Sequence, residues 1–146
     1  MAVSGTVCGQ EMSSRPETIR VMTYPSITLG AYNFEASDPH RLANFWSQIT
    51  GGESHPGGES VYIAPAGENG FGLFLQPMNG ARPERQTAHL DLTVPWGRRD
   101  TEVARAVTLG ATVRWHVLDE FPHVQWTTLA DPDGNLFCIA EHPPST

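Results

Sequence analysis

Apolar and polar positions alternate along most of this chain, and the period of alternation changes in the same order in each half. Residues 27–36 (ITLGAYNFEA) repeat every second position, the pattern of a strand with two unlike faces. Asp38-Pro39 then offers an N-cap followed by proline at the first helical position. Leu42, Phe45, Trp46 and Ile49 follow at i, i+3, i+4 and i+7, the stripe of an amphipathic helix, and Gly51-Gly52 stops it. After a Gly/Pro-rich turn, residues 61–64 and 71–77 read as strands. A further strand after the helix finds no clear place in the pattern.

The second half runs a similar course. Residues 89–94 (HLDLTV) alternate as a strand. A helix over residues 99–109 carries Val103, Ala106 and Val107 on one side, and Gly110 ends it. Residues 111–117, 124–129 and 136–140 are strand candidates, the last two joined by Asp131-Pro132-Asp133-Gly134-Asn135. In that turn proline presets φ, and Gly134 supplies positive φ beside Asx residues. The halves therefore read as two copies of one βαβββ pattern, Gly51 and Gly110 closing equivalent helices. The expected organisation is an arm over residues 1–24, one domain over 25–141 with modules at about 26–78 and 88–141, and a frayed tail over 142–146.

Composition narrows the function classes. At 146 residues one domain is expected, with enough core to need no disulfide or structural metal. Sixteen acidic residues against nine basic ones, all arginine, give a net charge of -7. Such a surface repels a polyanion, so nucleic acid is not an expected partner. No apolar run approaches the ~20 residues that span a bilayer, and the first 24 residues lack the pattern of a signal peptide. Cys8 and Cys138 are far apart and without metal-type spacing, which points to a reducing, cytoplasmic setting. No GxGxxG, P-loop or GxSxG motif is present.

The segments DPHRLANFWSQITGG, HLDLTV, EVARAVTLGATV and LADPDGNLFCIAE resemble the glyoxalase-like domains of the vicinal oxygen chelate superfamily. That superfamily also holds glyoxalase I, bleomycin-resistance proteins, fosfomycin-resistance enzymes and extradiol dioxygenases. The resemblance implies an α+β fold, two βαβββ modules forming a cupped mixed sheet around a small-molecule cavity, and a homodimer. It is more specific for the fold than for any one activity.

Strand alternation then assigns faces. Leu90, Leu92 and Val94 should pack under a helix, leaving His89, Asp91 and Thr93 on the concave side. In the first half Tyr32 and Phe34 take the helix side, leaving Ala31, Asn33 and Glu35. Buried polar groups must be paired or serve a ligand. The expected acid–base candidates are therefore His89, Glu35 and Asp91, with Asn33, Thr93, Trp126 and Tyr62 as ligand contacts. The plainer reading has His89 bonded to Asp91 or to backbone, the carboxylates paired or solvated, and Trp126 filling a core or interface.

Metal-dependent relatives place a His or Gln in the first strand of one module, a His in that of the other, and a Glu in each last strand. By that resemblance His89 is present, Ala31 stands in its counterpart position, and Gln76 and Cys138 occupy the last strands. No metal is favoured; if a divalent ion binds, its ligands are His89, Gln76 and Cys138. Three classes stay open: metal-free acid–base catalysis of lyase, isomerase or cyclase type on an aromatic or cationic compound, plain sequestration as by bleomycin-resistance proteins, and metal-dependent glyoxalase or dioxygenase chemistry. His116, Glu120 and His123 rim the cavity or are solvated, and Arg98 and Arg99 oppose the dipole of the helix they begin.

Overall fold

Local signals set both helices, and each helix organises one sheet. The computed structural model of the chain describes residues 29–144. Strand β1 (Tyr32–Ala36) passes straight into helix α1 (Pro39–Thr50), where Asp38 caps the Arg41 N–H at 3.0 Å. Gly51 ends α1 with φ 77°, a left-handed conformation that glycine adopts without strain. Strands β2 (Ser54–Gly57), β3 (Ser60–Ile63) and β4 (Leu73–Pro77) complete a sheet ordered β1-β4-β3-β2, with β1 and β4 parallel. The second half repeats this with β5 (Leu90–Val94), α2 (Arg99–Leu109), β6 (Thr112–Val117), β7 (Gln125–Ala130) and β8 (Leu136–Glu141), ordered β5-β8-β7-β6. Residues 1–28, which hold the expected arm and the start of the first expected strand, lie outside the described residues. Among those described, no helix is long and apolar enough to cross a membrane.

The strand without a clear sequence signal is β2. Its residues Ser-His-Pro-Gly have no apolar alternation because it is an edge strand, exposed along most of its length. Proline is tolerated there for the same reason, since no central ladder depends on its N–H. Val107 is a second difference: α2 buries Val103 and Ala106, while Val107 stays 45% exposed.

Arg99 resolves the charge misfit at the start of α2. The helix has no side-chain cap of its own. Instead the buried Glu141 carboxylate accepts from the backbone N–H groups of Gly97 (2.7 Å) and Arg99 (3.2 Å), putting negative charge at the helix N-terminus. The buried Arg99 side chain folds back over it, Nε 3.5 Å from Glu141 Oε1 and Nη1 donating to Thr127 Oγ1 at 2.8 Å. Its positive charge therefore serves a buried pair rather than the dipole.

The modules share one core. Trp46 of α1 meets Phe137 of β8 edge-on, ring centroids 5.1 Å apart, and Phe45 packs against both. The polar side of the same contact is the Asp131–Asn135 loop. Trp46 Nε1 donates to the buried Asp131 carboxylate at 3.0 Å. Asp133 accepts from the Ser37 N–H at 2.6 Å, and Arg82 donates to Asn135 Oδ1 at 2.8 Å. From the other direction, Arg105 of α2 donates to the carbonyls of Gln48 (2.8 Å) and Ile49 (3.2 Å) at the end of α1, where the dipole favours a cation.

Trp46→Phe keeps an aromatic ring but removes the N–H donor and part of the buried indole volume, so it should cost about 2 kcal/mol in urea unfolding. Asp131→Ala should cost more, about 2–4 kcal/mol, because it also orphans the loop's backbone donors. A double mutant whose cost equals the sum of the two would contradict a direct Trp46–Asp131 coupling.

Candidate functional site

The face of each module opposite its helix carries the side chains free for chemistry, and strand register fixes which of them meet. In the second sheet Asp91 lies opposite Cys138, Cys138 opposite Thr128, and Thr128 opposite Trp115. The next row on the same face is Thr93, Ala140 and Trp126. These residues line an open cavity of about 450 Å³ together with His89, Val124 and His142. That volume is within the range of small-molecule sites.

One corner is polar. His89 Nε2 stands 3.1 Å from Asp91 Oδ1. Because a carboxylate only accepts, Nε2 is the protonated nitrogen of that contact, leaving Nδ1 as the acceptor of the neutral ring. The His89 side chain is 48% exposed, so the pair opens to solvent and ligand rather than filling core. Cys138 is buried beside it, its Sγ 3.2 Å from Thr128 Oγ1. Burial pushes the Cys138 thiol pKa up, the Thr128 bond partly offsets this, and the Asp91 charge raises it further. It is therefore poorly suited to act as a nucleophilic thiolate.

The opposite wall is aromatic. Trp126 stacks on Phe121 with centroids 5.6 Å apart and planes 20° from parallel, and Trp115 is 49% exposed. Phe121 belongs to the loop between β6 and β7, which thereby holds Trp126 at the cavity rim. Of the loop's ionisable residues, Glu120 and His123 are exposed. His116 is turned to the helix side, its Nδ1 2.9 Å from Thr127 Oγ1.

The sequence-predicted residues divide among three places. His89, Asp91, Thr93 and Trp126 share this cavity. Glu35 and Asn33 instead line a separate cleft of about 390 Å³ between the modules, beside Arg82 and Arg85 of the linker. Tyr62 lies on β3 of the first sheet, its ring stacked on His55 at 6.4 Å. Within one chain Glu35 is thus not part of the His89–Asp91 corner.

Of the expected metal ligands, His89 and Cys138 line this cavity, and within one chain Gln76 does not. Gln76 is paired with Glu35, the fourth residue of β1, whereas Cys138 is paired with Asp91, the second residue of β5. The true counterpart of Cys138 is Phe74, opposite Asn33, and it has no donor. By that register the first-module positions matching His89 and Cys138 are Ala31 and Phe74, neither of which carries a donor. His89, Asp91 and Cys138 do place ligand-type atoms within 4.8 Å of one another. Their chemistry does not fit the implied centre: one donor is a thiol whose ionisation burial opposes, and the other two already satisfy each other.

Thr128 and His142 were not singled out from sequence. Both were accessible to alternation, which puts Thr128 on the face of Trp126, and His142 on that of Cys138 and Ala140. Residue 142 falls instead in the tail expected over residues 142–146.

Comparison with known proteins agrees with this geometry. In fold the chain is similar to a glyoxalase/bleomycin resistance protein/dioxygenase family enzyme from Burkholderia phytofirmans PsJN, with a TM-score of 0.65 at 16% identity, covering 80% of this chain and 100% of that one. It is similar too to the fosfomycin resistance protein FosX from Mesorhizobium loti, with a TM-score of 0.63 at 12% identity, covering 82% and 95%. A third similar structure is the oxidase ChaP-H2, with a TM-score of 0.62 at 22% identity, covering 84% and 98%. No curated protein matches the chain in sequence. The family model for the glyoxalase-like domain matches residues 31–140, and the chain belongs to that family, with the vicinal oxygen chelate fold of paired βαβββ modules.

Proposed function

We propose that the second-module cavity binds a small aromatic or cationic organic molecule and that the His89–Asp91 pair moves a proton on it without a metal. The observation that carries this reading is the opening of that pair, 3.1 Å apart, onto the same cavity as Trp126 and Trp115. A flat molecule stacked on Trp126 would present its edge to His89. Nδ1 would take the proton, and the Asp91 carboxylate would stabilise the imidazolium that forms, the orienting role a carboxylate plays beside a general base. Proton transfer of this kind serves isomerisation, cyclisation and elimination.

Sequestration without chemistry is the second reading. Asp91 favours it, because a carboxylate 71% exposed beside aromatic faces also suits a cation held intact. The names of the similar structures, which include a resistance protein and an oxidase, do not choose between the two.

We also propose that two copies of the chain form the working unit. Among the described residues β1 and β5 each stand at the edge of a sheet. Unpaired edges invite strand addition. A second copy laying its first-module face, with Asn33, Glu35 and Tyr62, over the second-module cavity would enclose the ligand.

His89→Ala should abolish turnover of a bound compound while leaving its affinity within a few-fold. Trp126→Ala should weaken binding by about ten-fold, the scale of one lost stacking contact. Compound recovered unchanged from the wild-type protein would favour sequestration, and turnover unaffected by His89→Ala would remove the acid–base assignment. Sedimentation equilibrium should give twice the 16.0 kDa chain mass. A monomer at all concentrations would contradict the shared cavity.

A further inference from the structure

The concave face of β8 continues one residue beyond the strand. Cys138, Ala140 and His142 alternate onto that face, and His142 lines the same cavity as His89 and Trp126. Its Nδ1 is 3.0 Å from the backbone carbonyl oxygen of His123. A carbonyl oxygen can only accept, so Nδ1 carries the proton, and in the neutral ring Nε2 is then the acceptor, with no partner among the described residues. The backbone on either side fixes the ring's position. Glu141, just before it, is anchored beneath α2, and Pro143, just after it, disfavours helical geometry at His142.

Register gives the distance scale. β5 and β8 run parallel with Asp91 opposite Cys138, and His142 lies four residues further along. At ~3.3 Å per residue the Asp91 and His142 backbones are separated along the sheet by about 13 Å. Between those two levels the face presents Ala140 and Trp126. The cavity thus has a hydrogen-bond acceptor at each end, the Asp91 carboxylate and His142 Nε2, with an apolar and aromatic middle.

We infer that His142 is a specificity-determining residue, selecting elongated flat molecules that carry a hydroxyl or N–H donor at the end remote from the His89–Asp91 pair. The inference rests on the small-molecule reading of this cavity and adds the shape and polarity of the ligand. His142 is exposed and outside the core, so its substitution should leave the melting temperature unchanged.

The test uses the full-length protein and two probes, 4,4′-dihydroxystilbene and 4-hydroxystilbene, titrated by quenching of tryptophan fluorescence. The wild type should prefer the dihydroxy probe by about ten-fold, the value of one hydrogen bond at a partly dry site. His142→Ala should erase that preference and leave the affinity for 4-hydroxystilbene unchanged. His142→Gln should restore part of it, because the amide oxygen also accepts. Binding of both probes with no preference in the wild type, or a preference that survives His142→Ala, would overturn the role of His142 alone. Failure of both probes to bind, or binding of both that Trp126→Ala leaves unchanged, would overturn the cavity reading together with this inference.

Discussion

The bond from Trp46 Nε1 to the buried Asp131 carboxylate is the contact on which the relation of the two modules depends. Among the described residues each βαβββ unit forms its own four-stranded sheet, and no strand of one sheet pairs with the other. What joins them is a mixed contact: aromatic edges from Trp46, Phe45 and Phe137, and a polar loop that receives donors from the first module. Burial raises the pKa of Asp131, while its bonds to Asn135, Trp46 and the Asp133 N–H oppose that rise. A buried carboxylate is tolerable only when so well supplied with donors. The Asp-Pro-Asp-Gly-Asn segment is therefore both a turn between β7 and β8 and the clamp between modules.

That clamp has a functional consequence. By docking α1 against the start of β8, it leaves the concave faces of the two modules apart within one chain. The repeat is symmetric in backbone but not in chemistry. Asp91 and Cys138 face one another where the first module has Asn33 and Phe74. The candidate polar corner consequently belongs to one module, and Glu35 can approach it only from another copy of the chain.

Much of the fold was legible in the sequence because its signals were local. Asp38-Pro39, Gly51 and Gly110 marked helix ends that the structure reproduces, and α2 spans the predicted residues. The edge strand β2 escaped because an exposed strand need not alternate. Faces were legible as well: His89, Asp91 and Thr93 do line one cavity with Trp126. What alternation cannot supply is the relative placement of two modules, and so Glu35 and Asn33 were expected beside residues from which they are separated. The pairing of Gln76 with Cys138 failed by register, since a shift of two residues keeps the face and changes the neighbour. Arg99 looked misplaced beside a helix start because its partner, Glu141, lies 42 residues away in sequence.

The proposed function has the second-module donors working as an imidazole–carboxylate pair rather than as a metal cage. The most direct test is the metal content of untagged protein by elemental mass spectrometry, before and after chelation, alongside its melting temperature. That arrangement predicts no stoichiometric metal and no change in melting temperature on chelation. One tightly held divalent ion per chain, removed by chelation with loss of stability, would contradict it and make His89, Asp91 and Cys138 ligands.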